Sequence, residues 1–471
     1  MTTPTQSTPT AELRSLLEDA AAHAARFLEA LPERRVASTA TADGLRKELG
    51  GPLPDETRDP RRVLAELARA VEPGLVATPG GRFFGFVIGG SLPAALAADW
   101  LTSAWDQNAG LYVAAPAASV VEEVCGAWLA DLFGISQDAS FGLVTGCQMA
   151  NFTALAAARH HVLEEAGWDV EADGLAGAPP VRVIAGEERH VTIDRALRFL
   201  GLGSSNLQTV PADGQGRMRP DVLKTLLAES PGPTILCVQA GNVNTGAIDP
   251  LDAICDAASE AGAWVHVDGA FGMWAAASPS LSHLTAGIER ADSWATDAHK
   301  WLNVPYDSGI VFCAHPAAHR AAMGTQASYL VRSENQERDE LDWNPEASRR
   351  ARGFPVYAAL RSLGRSGVAD LVDRCCAHAR RFAGALGREP GVEVLNDVVL
   401  NQVLVRFLDD GGEHDARTRA VIEAVQEDGT CWLGGTTWQG KGAMRISVSN
   451  WSTTIEDVDR SVAAILRAAS G

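Results

Sequence analysis

The sequence predicts an α/β fold: a mostly parallel sheet with helices on both faces, followed by a smaller C-terminal α+β domain. Three observations predict it. Near-continuous apolar runs recur at 181–185, 207–210, 234–239, 263–267, 292–296 and 309–313. Helical periodicities lie between or beside them, at 149–166, 192–200, 220–228 and 251–261. Strands without polar alternation are buried on both faces, and intervening helices supply the crossovers of a parallel sheet. After Phe354 the character changes, and a helical region leads to strands at 392–395, 402–407 and 443–448 and a last helix at 455–469.

Residues 1–10 are polar and read as disordered. Leu13, Leu16, Leu17, Ala20, Ala24, Phe27 and Leu28 stand at helical spacing, so 11–31 is an amphipathic helix that Pro32 ends. Residues 32–60 are rich in turn formers, and 61–71 is helical again. This part has no core of its own and must pack on the rest of the chain or on a second subunit. A Gly-rich apolar stretch opens the segment 83–138, followed by helices at 92–103 and 118–133. Residues 324–352 are polar, with the run Asn335 to Glu340 and then Arg349, Arg350 and Arg352, and read as a mobile loop. The expected division is an N-terminal helical segment at 1–80 packing on a partner subunit, a large domain at 81–355 and a small domain at 356–471. No internal repeat is present.

A chain of 471 residues can bury a large core. Its net charge of −19 argues against nucleic acid and anionic membranes as partners. A phosphorylated ligand would therefore need local compensation from backbone N–H groups and a helix N-terminus. The eight cysteines are scattered without a C-x-x-C pair, which reads as free thiols in a reducing compartment. No basic leader precedes an apolar core, and no apolar run approaches the ~18 residues of a spanning helix. A cytoplasmic protein is expected.

The chemistry is concentrated at two strand ends. Asp268 closes the run Ala263 to Asp268, and Lys300 follows the run that begins at Asp292. Ligands of parallel sheets bind beyond the carboxyl ends of the strands. A carboxylate at one strand mouth and an amine at the next suit pyridoxal 5'-phosphate (PLP). The lysine forms a Schiff base, and the carboxylate keeps the pyridine nitrogen protonated. The chain has four lysines, Lys47, Lys224, Lys300 and Lys441, and only Lys300 has apolar, aromatic neighbours. Desolvation there is expected to lower its pKa.

Other residues are ambiguous by position. Thr145 to Asn151 is a Gly turn that opens a helix, and fits either a phosphate cradle or an ordinary strand-to-helix turn. His190 fits either a ring-stacking imidazole or a surface histidine before a helix, and His299 has the same two readings. Asp268 alone also fits a buried turn cap. The order of these features along one α/β pattern is what favours a PLP site.

Taken together, the motifs resemble the group II PLP-dependent amino-acid decarboxylases, which include aromatic-amino-acid, histidine and glutamate decarboxylases. His266 to Phe271 resembles that family's His-Val-Asp-Ala-Ala-Tyr, and Asp297 to Trp301 its Asn-Pro-His-Lys-Trp. Thr145 to Asn151 resembles its Ser-Gly-x-Ser-Glu-Ala-Asn turn, and Gly241 to Pro250 its Gly-Thr-x-x-Thr-Gly-Ala-x-Asp-Pro. The resemblance runs from about residue 11 to the C-terminus. It implies a fold-type-I, PLP-dependent transferase-like homodimer that converts an L-amino acid to its amine and carbon dioxide. It assigns Lys300 to the cofactor imine, Asp268 to the pyridine nitrogen, His190 to one ring face and Ala270 to the other. Gly146, Cys147 and Gln148 match the phosphate turn, Asn242 a residue near the ring hydroxyl, and His299 the histidine beside the imine. Tyr329 matches the loop tyrosine that returns a proton to the substrate carbon, and Arg445 lies near a recurring segment of the small domain.

There are three departures from the pattern. Asp297 stands where the family has asparagine, beside the phosphate, and Met149 replaces an acidic residue. Residues 83–90 differ from the aromatic decarboxylases, which leaves the substrate open. Decarboxylative aldehyde synthesis, carbon–carbon lysis and transamination are alternative reactions of such a site. A catalytically silent binding protein is the alternative from outside enzymology, and the set Lys300, Asp268 and His190 argues against it.

Overall fold

The computed structural model describes residues 10–229, 231–325, 330 and 337–471. Seven short strands build the large sheet: β1 Ser140–Val144, β2 Arg182–Gly186, β3 Leu207–Val210, β4 Thr234–Gln239, β5 Trp264–Asp268, β6 Ser293–Asp297 and β7 Gly309–Cys313. Their spatial order is β1-β7-β6-β5-β4-β2-β3. β2 to β6 run parallel, while β7 lies antiparallel between β6 and β1. Every residue of β1, β5, β6 and β7 is buried. Two-sided burial explains why these strands are apolar without alternation. The strand positions agree with the sequence reading to within a residue. β1 was not singled out there; it is the edge strand whose end carries the Gly146 turn.

The small sheet is antiparallel in the order β10-β11-β9-β8, from β8 Val392–Val394, β9 Gln402–Phe407, β10 Gly434–Trp438 and β11 Lys441–Ser447. β10 escaped the sequence reading because its Gly-Gly-Thr-Thr run is largely solvent-facing and gains its order from β11. Gln439 and Gly440 both have positive φ, 48° and 77°, as a two-residue hairpin turn between right-twisted strands requires. The helix Gly353–Leu386 leads from the large domain into the small one and is interrupted at Gly364, whose φ of 61° only glycine adopts freely.

Two expectations are corrected. Residues 32–60 include a helix, Ala42–Leu49, capped by Thr41, whose hydroxyl accepts the Gly44 N–H. Part of the expected loop at 324–352 is packed core: Glu340, Leu341, Asp342, Asn344, Arg349 and Arg352 are buried. Arg349 donates to Glu122 at 2.8 Å, to the Ala109 carbonyl at 2.7 Å and to the Leu143 carbonyl at 2.5 Å. Buried charge is tolerated where an opposite charge and carbonyls receive it, and polar composition alone does not reveal that pairing. Tyr329 lies outside the described residues, as do residues 1–9.

The N-terminal helices Thr10–Ala30 and Pro60–Val71 leave Leu13, Leu17, Val63 and Leu67 exposed. Beside them, helix Pro93–Trp105 exposes Trp100, Leu101 and Trp105. Among the described residues no helix is long and apolar enough to cross a membrane.

Candidate active site

The parallel topology delivers the chemical groups to one edge. Asp268 is the last residue of β5, Asp297 the last of β6, and the turn after β1 starts helix Cys147–Glu164. Gly309 at the start of β7 lies against Gly146; a Cβ on Gly309 would come 2.4 Å from the Gly146 Cα. The turn is thus held against the ends of β6 and β7 by two residues without side chains.

Lys300 sits just beyond β6, and its Nζ is 3.0 Å from Asp297 Oδ2. The other carboxylate oxygen, Oδ1, accepts the Cys147 N–H at 2.6 Å and lies 3.5 Å from His299 Nε2. Burial alone would lower the amine's pKa, as the sequence reading expected. The Asp297 carboxylate, with Asp268 adding to it, overrides burial and holds Lys300 above its ordinary value. The expected depression is therefore reversed by an anion three residues away. The Lys300 backbone is clamped as well. Asn303 Nδ2 donates to the carbonyls of Trp301 at 2.8 Å and Ser449 at 2.9 Å. A Cβ on Gly89 would fall 1.7 Å from the Lys300 carbonyl oxygen, so the apolar segment 83–90 packs directly on the lysine.

Asp268 is buried, and both its oxygens accept. Ala270 N–H and the Cys147 thiol reach Oδ1 at 3.3 Å and 3.5 Å, and Asn151 Nδ2 reaches Oδ2 at 3.3 Å. His190 caps helix Val191–Phe199: its Nδ1 accepts the Thr192 N–H at 3.4 Å and contacts the Thr192 hydroxyl at 2.9 Å. Burial lowers its pKa, so the ring is neutral with its proton on Nε2. His299 Nδ1 accepts the Ser308 N–H at 3.1 Å, and its ring packs on Tyr306 with centroids 4.3 Å apart. Burial lowers its pKa too.

Not every predicted residue is free to bind. Asn242 donates to the Glu188 carbonyl and Gln239 Oε1, both at 3.2 Å. Its Oδ1 accepts from Asn244 and Thr245 N–H at 2.9 Å and 3.2 Å. Its amide is hydrogen-bonded within the loop at every position. Gln148 reaches the Thr192 carbonyl at 3.3 Å, and its Oε1 is buried without a partner. The sequence reading missed Asn151, Thr192, His266 and Ser293, which tie Asp268 and His190 to the interior, and Tyr306. Asn151 was visible as the last residue of the turn motif, one helical turn after Cys147.

These residues fit pyridoxal phosphate. Lys300 is the lysine at the strand ends, Asp268 is a buried carboxylate suited to accept a ring N–H, and the Gly146 turn opens a helix whose N-terminus favours an anion. Ser308, adjacent to His299 in the network, has a buried hydroxyl without a partner, a further donor suited to an anion. Asp297, hydrogen-bonded to the Cys147 N–H, is of the wrong sign for a phosphate.

The comparisons agree. A family model described as the pyridoxal-dependent decarboxylase conserved domain matches residues 44–408. The chain is 27% identical over 439 residues to an aromatic-L-amino-acid decarboxylase of Bacillus atrophaeus, covering 91% of this chain and 89% of that protein. It is 28% identical over 429 residues to an acidic amino acid decarboxylase of Homo sapiens, covering 86% and 80%. Among solved structures, Oryza sativa TDC with PLP and tryptamine superposes with a TM-score of 0.92 at 23% identity, covering 99% of both chains. Mouse CSAD gives 0.90 at 24%, covering 98% and 99%. The chain belongs to the pyridoxal-dependent decarboxylase family and is a PLP-dependent carboxy-lyase acting on an amino acid.

Proposed function

We propose that Lys300 anchors the cofactor covalently, Asp268 holds its ring nitrogen protonated, His190 stacks on the ring opposite Ala270, and Tyr329 returns a proton to the α-carbon. When bound, PLP supplies an electron sink for the pair left as the bond to the departing carbon dioxide breaks. The observation that carries this reading is the meeting of Lys300, Asp268 and the Gly146 turn at the ends of β6, β5 and β1. Asp268, whose two oxygens accept from Ala270, Cys147 and Asn151, would receive the ring N–H. His190, neutral and with its Nε2 proton uncommitted to Thr192, presents an N–H donor. Gly146, Cys147, Gln148 and His299 form the phosphate end, with Asp297 adjusting it.

Arg445 on β11 suits the substrate's carboxylate. Its Nη1 donates to the Val243 carbonyl at 3.2 Å, and among the described residues it has no carboxylate partner. Burial lowers its pKa, and its charge is felt at His190. A half-buried, unpaired guanidinium near the ring-stacking histidine gains most from a bidentate anion.

The working unit in this reading is a homodimer, with 1–80 packing on the partner, 81–355 binding the cofactor and 356–471 forming the small domain. The exposed Leu13, Leu17 and Leu67 on the N-terminal helices and Trp100 and Trp105 on helix Pro93–Trp105 support it, since large apolar side chains left in solvent favour a partner surface. A cytoplasmic location goes with it, supported by the absence of a spanning helix among the described residues and by eight free, buried cysteines.

The test is purified protein with PLP and a panel of L-amino acids, reading carbon dioxide, amine and aldehyde. Lys300→Ala should lose both the visible absorbance band and turnover. A borohydride-reducible adduct that persists in this variant would remove Lys300 from its role.

A further inference from the structure

One buried amide touches the supports of both Asp268 and His190. Asn151 lies fully buried in the first turns of helix Cys147–Glu164. Its Nδ2 reaches Asp268 Oδ2 at 3.3 Å and Thr192 Oγ1 at 3.2 Å. Its Oδ1 meets His266 Nε2 at 2.9 Å. His266 Nδ1 meets Ser293 Oγ at 3.0 Å, and Ser293 Oγ accepts the Trp264 indole N–H at 2.9 Å. His266 and Ser293 are both fully buried.

The proton positions follow from the ends inward. An ionised carboxylate only accepts, so the NH2 side of Asn151 faces Asp268 and the carbonyl side faces His266. His266 must then donate from Nε2. Burial pushes its pKa down to about 4, so the ring is neutral and Nδ1 accepts. Ser293 therefore donates its hydroxyl proton to Nδ1 and takes the indole N–H on a lone pair, which suits a donor-only tryptophan. On the other branch, the second amide hydrogen of Asn151 goes to Thr192 Oγ1. The Thr192 hydroxyl is then turned to donate to His190 Nδ1, which fixes the His190 proton on Nε2. With Asp268 ionised, this single assignment makes every link.

We propose that Asn151 is a positioning residue whose one side-chain amide, oriented by His266 and Ser293, fixes the hydrogen bonding of the Asp268 carboxylate and the tautomer of His190 together. It rests on the reading of Asp268 and His190 as the groups on the cofactor ring. A buried polar network with every member satisfied is rigid, and breaking one link leaves unpaired groups at several others. The titratable groups around Asp268 are Lys300, Asp297, His190, His266, Cys147 and Cys237. None of them replaces the N–H that Asn151 supplies.

The experiment measures the protonation of the bound ring nitrogen against pH, by nitrogen NMR of isotope-labelled cofactor in the holoenzyme, with the thermal midpoint recorded beside it. In Asn151→Leu the ring nitrogen should lose its proton at a pH lower by at least about one unit, a tenfold shift. Asn151→Ser, which keeps one donor, should recover part of the shift. His266→Phe should move the midpoint in the same direction by less, because the amide is then free to turn over. Should Asn151→Leu not fold, Asn151→Ser and His266→Phe decide. An unchanged ring-nitrogen midpoint in the folded variants, whatever happens to their thermal midpoints, overturns the proposal. If the parent protein forms no covalent adduct at Lys300, the reading of the site fails first, and that outcome is distinct.

Discussion

Asp297 places a carboxylate oxygen 2.6 Å from the Cys147 amide nitrogen, at the helix N-terminus where a phosphate also seeks donors. Two anions drawn to one helix end repel each other, and the low dielectric of a buried site strengthens the effect. Asp297→Asn keeps the size and removes the charge. It should tighten binding of inorganic phosphate and of PLP to cofactor-stripped protein by about tenfold or more. It should leave phosphate-free pyridoxal nearly unaffected. Equal gains for pyridoxal and its phosphate would place the effect at Lys300, whose amine Asp297 also holds charged. At this scale the sequence marked candidate groups, and the structure brings Lys300 and Asp268 to neighbouring strand ends, but how they are set was not legible. Lys300 and Asp268 were legible because strand ends are functional addresses in parallel sheets. The sign of the Lys300 shift was not, although Asp297 lies three residues away, because burial and a neighbouring anion oppose each other and only distance decides. Apart from the local Thr192–His190 contact, the links of the Asn151 network join residues 27 to 117 apart, beyond any local pattern.

Among the elements, strands buried on both faces were legible to within a residue, since two-sided burial writes itself into composition. β10 and the segment 337–352 were not. β10 owes its order to a neighbour, and 337–352 is polar because it carries a buried ion pair. Arg349 and Glu122 meet at 2.8 Å with both side chains fully buried, tying this segment to helix Pro116–Phe133. Burial pushes the Glu122 carboxyl up to about 8 even beside Arg349, so removing Arg349 leaves a buried carboxyl without its donor, whereas removing both does not. Arg349→Met should therefore lose roughly 3–5 kcal/mol of stability in a urea titration. The double variant Arg349→Met with Glu122→Leu should regain much of that loss. A double variant no more stable than the single would mean that the carbonyls of Ala109 and Leu143, left without their donor, account for the cost instead.

At the scale of the whole molecule, stability should depend on pH through histidines that the fold keeps neutral. His266 and His319 are fully buried, and burial pushes them down to about 4 and about 3 from an ordinary 6.5. His319 is held between Ser140 Oγ at 2.9 Å and the Trp343 carbonyl at 3.0 Å, and the nearby Arg338 charge further opposes protonation. The unfolded chain takes up both protons as the pH falls through about 6.5, while the folded chain refuses them until about 4 and about 3. The folded pKa is depressed for a base, so the stability is fully present above 6.5 and is lost as the pH drops. Each unit of this window costs ~1.4 kcal/mol per histidine, so the two together remove several kcal/mol between pH 6.5 and 4. Urea midpoints measured across that range should fall steadily, and proton uptake on unfolding at pH 5 should approach two from this pair. His319→Gln, which keeps a hydrogen-bond donor and acceptor but cannot take the proton, should flatten the decline by about half. A curve as steep as the parent's would place the acid sensitivity in the other buried histidines, His190 and His299 among them, or in the carboxylates, with Asp249, raised to about 6 by burial, excluded because its protonation favours the folded state as the pH falls.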